Sequence, residues 1–308
     1  MEERLYTLPH GISLNCRTTG DPGRPVLMFV HGFPEAAFVW DDLLHHFAQP
    51  EHGGYRCIAP NLRGYERSSA PADVSAYRPK HLVQDLTALM AMETGSPDQP
   101  VEALIAHDWG GAVAWNLANQ HPGRLRRLAI INSPHPGLFL RELKNNPKQQ
   151  AASAYMNFLI RPDAEALLAA DDFRRLWAFF SNMGGEAWLT DQVKAQYRAV
   201  WQQGLGGPLN YYRASPLRPP IAEDPGAAGV ELPRTMLTVD VPTLVIWALQ
   251  DAALPPELID GLDGYIPQLT LRTVPDATHW IIHEQPALVA RLLGDYLSTT
   301  TPHLQAGS

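Results

Sequence analysis

Cysteine, basic runs and long apolar segments are all scarce in this sequence, and each scarcity excludes a class of protein. The 308 residues contain two cysteines, Cys16 and Cys57, which are too few for a disulfide framework or a cysteine metal site. The net charge is −8 and no run is rich in lysine and arginine, which argues against nucleic acid or an anionic membrane as a partner. We therefore expect two free, buried thiols in a reducing compartment.

The sequence also shows no pattern of a transmembrane helix, a signal peptide or a metal motif. No apolar run approaches the roughly 18 residues of a transmembrane helix, and the acidic start of the chain is not followed by the apolar segment of a signal peptide. His45 and His46 are neighbours on a predicted helix and diverge, and no His-Glu-x-x-His motif occurs. We expect a soluble, cytoplasmic protein that needs neither a metal nor an organic cofactor.

Short apolar runs alternate along the chain with stretches of helical periodicity. Continuous apolar runs, such as residues 26–30 and 244–247, suit strands that are covered on both faces, as in a parallel sheet. We predict strands at residues 12–18, 25–30, 57–60, 101–106, 128–132, 243–247 and 269–274. Helical patterns lie between them at residues 40–47, 81–92, 111–119 and 286–297. The alternation predicts an α/β fold with a mostly parallel, doubly wound sheet.

The alternation stops in the middle of the chain, where helical patterns replace the strands and proline-rich stretches lie on both sides. The helical stretches there are at residues 149–160, 164–168, 173–180, 190–203 and 207–214. We predict a helical cap at residues 138–231. It is inserted into an α/β core that comprises residues 1–137 and 232–308.

Asp108 lies in a pattern that is typical of a nucleophile elbow. An apolar run leads into Ala106-His107-Asp108-Trp109-Gly110, in which a small residue stands two positions before and two positions after the aspartate. In such a turn the side chain stands beside the N-terminus of the next helix, whose free N–H groups and dipole favour an anion. The pattern alone fits an aspartate that merely caps this helix equally well.

The loop His31-Gly32-Phe33-Pro34 follows the predicted strand at residues 25–30. In an α/β-hydrolase fold, this position supplies a second N–H donor to the oxyanion. We predict that the N–H groups of Phe33 and Trp109 form an oxyanion hole, supported by His31, Gly32 and Pro34. On its own, the segment also fits a simple glycine-proline turn.

Two more candidates follow predicted strands near the end of the chain. Asp251 comes after the strand at residues 243–247, and His279 comes after the strand at residues 269–274. Each alone fits an ordinary loop residue. Together with Asp108 they give the chain order nucleophile, acid, histidine, which is the order of the α/β-hydrolases. We predict that Asp108 is the nucleophile, Asp251 the acid and His279 the base.

A carboxylate nucleophile implies a particular chemistry. It displaces a leaving group at an sp³ carbon and forms an alkyl ester, which a histidine-activated water then cleaves while the oxyanion donors hold the tetrahedral intermediate. Epoxides and organohalides both suit this sequence of steps. An epoxide oxygen needs acidic O–H donors as the ring opens, whereas a halide needs weaker donors such as an indole N–H.

Several short stretches of core and cap form a characteristic set: HGFPE (31–35), RGY (63–65), HDWGG (107–111), YMNFL (155–159) with Pro162, PLNYYR (208–213), the Asp251 loop and His279-Trp280. In these stretches the chain resembles the α/β-hydrolase-fold epoxide hydrolases, of the soluble epoxide hydrolase-like bacterial type. Tyr155 and Tyr212 would then be the paired cap tyrosines that donate to the epoxide oxygen, and the family pattern Asn-aromatic-Tyr-Arg selects Tyr212 rather than Tyr211. Asn61 and Glu66 depart from the residues the family often has there, and neither is expected to be catalytic.

The resemblance implies an enzyme that converts an epoxide, apolar or aromatic, into a vicinal diol through an ester on Asp108. The main alternative is a haloalkane dehalogenase with the same nucleophile, which would use the Trp109 indole and need no tyrosine pair. A haloacid substrate is disfavoured because Trp109 and Ala112 stand where such dehalogenases carry arginines. A non-catalytic ligand-binding protein on the same fold is a remote alternative, and either a monomer or a homodimer is compatible with the sequence.

Overall fold

The computed structural model describes residues 1–184 and 187–299, and within them one sheet of eight strands forms the centre. The strand order is β1-β2-β4-β3-β5-β6-β7-β8. β2 pairs antiparallel with β1 and β4, and all other neighbours are parallel. The strands are β1 Glu2–Thr7, β2 Ser13–Thr19, β3 Val26–Val30, β4 Arg56–Pro60, β5 Ala103–His107, β6 Leu128–Ile131, β7 Thr243–Ala248 and β8 Leu269–Val274. The predicted α/β fold with a mostly parallel sheet is confirmed.

Helices cover both faces of the sheet, as a doubly wound fold requires. Alternate residues of β3 show this: Leu27 and Phe29 pack under α1 and α11, whereas Met28 and Val30 pack under α2 and α3. The helices are α1 Asp41–Ala48, α2 Pro79–Thr94, α3 Trp109–Gln120, α4 Pro136–Asn145, α5 Pro147–Ala152, α6 Tyr155–Leu159, α7 Ala164–Asn182, α8 Asp191–Trp201, α9 Gly206–Ala214, α10 Ile281–Glu284 and α11 Pro286–Ser298.

In the described residues between β6 and β7, where the cap is predicted, the chain forms the six α-helices α4 to α9. The predicted helix at residues 149–160 is two short helices, α5 and α6. The two predicted stretches at residues 164–168 and 173–180 lie in the two arms of α7, which are separated by non-helical backbone at residues 170–173. The boundaries of the cap at residues 138 and 231 stay a proposal.

Among the described strands and α-helices, three are missing from the sequence prediction: β1, α4 and the short helix α10. β1 has a single buried side chain, Tyr6, so it shows no strand pattern, and it forms because β2 pairs with it along its length at the edge of the sheet. α4 begins with Pro136 at its first position, which is a usual helix start. The two prolines around His135 thus belong to the start of a helix, and not only to the boundary that the sequence predicts there.

The two cysteines agree with what the composition indicated. Cys16 and Cys57 are both buried and free, as expected. In the part of the chain that the structure describes, no helix is both long and apolar enough to cross a membrane.

Candidate active site

Asp108 occupies the tight turn between β5 and α3. Its backbone has φ 49° and ψ −122°, a sparsely populated region for a residue with a side chain. The turn is also crowded, since a Cβ atom added at Gly110 would lie 2.4 Å from the Val30 carbonyl oxygen, and one added at Gly32 would lie 2.3 Å from Asp108 Oδ1. Side chains larger than that of glycine would therefore clash at positions 32 and 110. The strained turn exposes the Asp108 carboxylate at the end of the strand.

One oxygen of the Asp108 carboxylate is held by the loop after β3. The Phe33 N–H donates to Oδ1 at 2.7 Å. Trp109 is the first residue of α3, so its N–H has no acceptor within the helix and lies at the positive end of the helix dipole. The first donor of the predicted oxyanion hole is thus seen on Asp108 itself, and the role of the Trp109 N–H stays a prediction.

The loop that carries Phe33 is fixed from two directions. His31 Nε2 accepts the Leu62 N–H at 3.1 Å, and its Nδ1 lies 2.9 Å from the Gly32 carbonyl oxygen. Burial lowers the pKa of His31 to about 4, so the ring is neutral and can accept this bond. On the other side, the Pro34 carbonyl accepts the Trp201 indole N–H of α8 at 2.8 Å.

His279 stands between the two candidate carboxylates. Its Nδ1 lies 2.6 Å from Asp251 Oδ2, and its Nε2 lies 3.8 Å from Asp108 Oδ2. Burial lowers the pKa of His279, but the negative charges of Asp251 and Asp108 outweigh this and raise it to about 9. Burial raises the pKa of Asp251, and the contact with His279 more than offsets it and holds that pKa below its usual value.

Asn132 is a part of this site that sequence reasoning missed. It lies directly after β6 with φ 40°, and its Nδ2 donates to Asp251 Oδ2 at 2.7 Å. Its Oδ1 accepts the Ala248 N–H at 3.0 Å, which ties it to the end of β7. The N–H groups of Ala253 and Leu254 donate to the other oxygen of Asp251. A polar side chain at the end of a buried strand was the available signal.

A second buried carboxylate, Glu35, lies behind the site. Its Oε2 is 3.2 Å from His107 Nδ1, and its Oε1 is 2.6 Å from His283 Nε2 and accepts the Tyr197 hydroxyl of α8 at 2.9 Å. His107 Nε2 donates to the His279 carbonyl at 2.9 Å. Burial raises the pKa of Glu35, and the neighbouring histidines lower it well below its usual range. The carboxylate therefore links the backbone of the His279 loop to the cap.

Tyr155 and Tyr212 face each other across the cavity wall. Tyr155 begins α6, Tyr212 lies in α9, and their ring centroids are 6.2 Å apart. Burial raises the pKa of both phenols, and the Asp108 charge raises it further, so both hydroxyls keep their protons. Tyr211 instead donates its hydroxyl to the Arg63 carbonyl at 2.9 Å, which directs that hydroxyl away from the pair.

A cavity of about 460 Å³ is lined by Asp108, Trp109, Tyr155 and Tyr212, and most of its wall is apolar. The wall also includes the exposed residues Arg78 and Lys80. Its other lining residues could not be identified from the sequence, and they include Phe139, Met156, Leu217, Leu237 and Leu254. No group of three or more His, Cys, Asp or Glu side chains is arranged to hold a metal within residues 1–184 and 187–299.

The two departures from the family pattern lie together outside the cavity wall. Asn61 Nδ2 donates to Glu66 Oε2, and Asn61 Oδ1 accepts the Ala37 N–H at 2.8 Å. Glu66 has φ 46°, a conformation that glycine adopts without strain. The pair supports the loop after β4.

Comparisons with known proteins identify the family of the chain. The sequence profile of the alpha/beta hydrolase fold matches residues 25–286. The AB hydrolase superfamily protein YfhM of Bacillus subtilis (strain 168) is 33% identical over 291 residues, which cover 94% of this chain and 95% of that protein. An epoxide hydrolase of Caballeronia sordidicola is 32% identical over 327 residues, which cover 94% of this chain and 92% of that protein.

A solved structure gives the same result. It is described among novel epoxide hydrolases of the alpha/beta hydrolases superfamily in metagenomes from hot environments, and it shares 36% identity and a TM-score of 0.86 with this chain, over 97% of this chain and 99% of that one. The predicted family is thereby confirmed. The chain belongs to the alpha/beta hydrolase fold family, in the group of the epoxide hydrolases.

Proposed function

We propose that the protein hydrolyses epoxides to vicinal diols through a covalent ester on Asp108. One observation carries the proposal: Asp108 has one oxygen on a backbone N–H and the other facing His279, in a cavity that two protonated tyrosines also line. Relatives named epoxide hydrolases span nearly the whole chain at similar identity. The largely apolar wall supports apolar or aromatic epoxides as substrates.

The first step opens the epoxide. Asp108 Oδ2 attacks one ring carbon, the carbon–oxygen bond at that carbon breaks, and the ring oxygen takes a proton from Tyr155 or Tyr212. Both tyrosines donate hydrogen bonds to the oxygen as its charge develops, which is where such donors lower the barrier most. The product is an ester of Asp108 whose alkyl group carries a hydroxyl on the neighbouring carbon.

The second step hydrolyses the ester. Oδ1 becomes the ester carbonyl oxygen, already on the Phe33 N–H, while His279 takes a proton from the water that attacks Cγ. Esterification removes the negative charge of Asp108, one of the charges that raise the pKa of His279. His279 therefore becomes a neutral base more readily at the stage where a base is needed. The tetrahedral intermediate then collapses, the Cγ–Oδ2 bond breaks, and the leaving oxygen takes the second proton of the water, which releases the diol. The proton on His279 finally returns to the tyrosine that gave one up in the first step.

A direct test uses the variant His279→Gln. The first step needs no base, so an epoxide such as styrene oxide should add its full mass to the peptide that contains Asp108, and the ester should persist. In a single turnover of the wild-type enzyme in ¹⁸O-labelled water, the label should enter Asp108 and the diol should stay unlabelled. Asp108→Asn is the matched control and should give no adduct.

Assays of the wild-type enzyme with epoxides and haloalkanes distinguish an epoxide hydrolase from a haloalkane dehalogenase. Diol formation from terminal, styrene-type and trans-disubstituted epoxides is measured in parallel with halide release from haloalkanes. Diol without halide is the expected result, because the tyrosine pair supplies acidic donors for an oxygen. Halide release without any diol, or the absence of an adduct with every epoxide, would overturn the proposal.

A cytoplasmic location is likewise proposed, on the basis of the two free thiols.

A further inference from the structure

Four aromatic rings form a closed set beside the nucleophile, and we call Phe33, Phe179, Tyr155 and Tyr212 the aromatic quartet. Each ring meets two others edge to face. The centroid distances are 6.0 Å between Phe33 and Phe179, 5.5 Å between Phe179 and Tyr155, 6.2 Å between Tyr155 and Tyr212, and 5.1 Å between Tyr212 and Phe33. Interplanar angles of 76° to 85° are those that favour aromatic pairs. Phe179, in the second arm of α7, is the one member to which the proposed reaction gives no task.

The cavity lies on one side of this quartet. Among the residues the structure describes, the cavity wall includes both tyrosines, Phe139 and Leu237, whereas Phe33 and Phe179 do not line it. The rings of Phe33 and Phe179 pack against the two tyrosines from outside this wall, and we take them as the boundary of the space beside Asp108 on that side.

An epoxide bound by its oxygen between the tyrosines presents two carbons to Asp108, and their substituents point in opposite directions when they are trans. One substituent can extend along the cavity. A substituent on the other carbon meets Phe33 and Phe179. The buried ring of Phe33 packs against Tyr212 and Phe179, and its backbone N–H is bonded to Asp108 Oδ1, so we expect Phe33 to stay in place. Phe179 is half-buried on a cap helix and has no polar atom in the site.

We propose that Phe179 is a specificity-determining residue that restricts the enzyme to epoxides substituted on one ring carbon. This inference rests on the proposed function and names the substrate class of the same site. The restriction comes from the aromatic quartet and not from the size of the cavity. It therefore limits the substituent on the second ring carbon, whereas the size of the substituent that extends along the cavity is not limited by it.

The test compares two substrates that differ by one methyl group, styrene oxide and trans-β-methylstyrene oxide. Wild-type kcat/KM should be at least about tenfold lower for the disubstituted compound, since a rigid wall rejects an added methyl by about that factor or more. Phe179→Ala should reduce this ratio about tenfold by raising kcat/KM for the disubstituted epoxide. The Phe179→Leu variant should give an intermediate ratio, and it replaces the alanine variant in the test if that variant does not fold.

Phe158→Ala is the matched control. Phe158 is a half-buried phenylalanine of α6 in the same cap, and in the described chain it forms no aromatic ring pair with the quartet and does not line the cavity. Its substitution should leave the substrate ratio unchanged.

The outcomes separate this inference from the proposed function. Equal wild-type kcat/KM for the two epoxides, or an equal loss on both in Phe179→Ala and Phe179→Leu, would overturn the inference while diol formation upheld the function. If the wild-type enzyme formed no diol from either compound and His279→Gln formed no adduct, the proposed function itself would fail, and the inference with it.

Discussion

The two carboxylates of the site differ in what surrounds them, and the difference matches different tasks. Asp251 is buried and accepts hydrogen bonds from Asn132, Ala253, Leu254 and His279, so it is fixed in its ionised form and can only orient the imidazole. The side chain of Asp108 faces the cavity and, among the described residues, accepts one hydrogen bond, from Phe33. Its second oxygen therefore keeps the lone pairs that a nucleophile needs.

The tyrosine pair permits a sharp prediction about the first step. Tyr155→Phe and Tyr212→Phe should each lower the rate of ester formation about 100-fold, and the double variant should abolish ring opening, because each change removes one O–H donor to the developing alkoxide. The measurement is single-turnover appearance of the Asp108 ester in the His279→Gln background.

Tyr211→Phe is the matched control, since its hydroxyl donates to the Arg63 carbonyl instead. It should leave ester formation unchanged and lower the free energy of unfolding by about 1 kcal/mol. If Tyr211→Phe slowed ester formation as much as Tyr212→Phe, the choice between the two neighbours would be wrong.

Single residues also show where sequence reasoning stops. Asp108, Asp251 and His279 each follow a strand, and the carboxyl ends of parallel strands share one edge of a sheet, so their proximity could be inferred. Glu35 could not be found in this way, because its partner His283 is 248 positions away and neither side chain belongs to a periodic pattern. Only the folded chain brings the two together.

Among the secondary-structure elements, α7 has a bend that sets the position of its second arm, which carries Phe179. Asp171, Asp172 and Phe173 all have left-handed backbone, with φ of 54°, 54° and 59°. Tertiary bonds hold the bend: the Asp172 carbonyl accepts the Trp177 indole N–H at 2.8 Å, and the Asp172 carboxylate pairs with Arg198 of α8 at 2.7 Å. The sequence predicted the interruption, but its left-handed form depends on these partners.

The bend predicts opposite effects for two similar glycine substitutions. Asp171→Gly should raise the free energy of unfolding by about 0.5 kcal/mol, because glycine relieves the left-handed strain at an exposed position. Asp163→Gly, at an exposed aspartate with φ −91°, should lower it by about 0.5 kcal/mol through the entropy of the unfolded chain. Urea unfolding of both variants measures the difference, and equal signs would contradict a strained bend.

For the molecule as a whole, the buried imidazole makes stability depend on pH. The pKa of His279 rises from an ordinary 6.5 to about 9 on folding. Protonation therefore stabilises the folded state fully below pH 6.5, and this contribution disappears as the pH rises through about 9.

We expect the stability difference between the wild-type protein and His279→Gln to shrink by on the order of 3 kcal/mol between pH 6.5 and 9.5. The measurement is denaturant unfolding of both proteins across this interval. Asp251 contributes little to the change, because its pKa is held low and it stays ionised throughout. Parallel curves for the two proteins would show that His279 is not charged in the free enzyme.

The loop that contains Phe33 also accepts two hydrogen bonds from α8. These bonds limit which caps can be exchanged into this protein. Pro34 gives its carbonyl to Trp201, and Glu35 receives the hydroxyl of Tyr197. A chimera that takes residues 138–231 from another protein would leave a buried carboxylate and carbonyl short of donors unless the incoming segment has a hydroxyl and an indole at these two positions. Exchange of caps between such hydrolases is therefore governed by two residues of one helix as much as by the shape of the cavity.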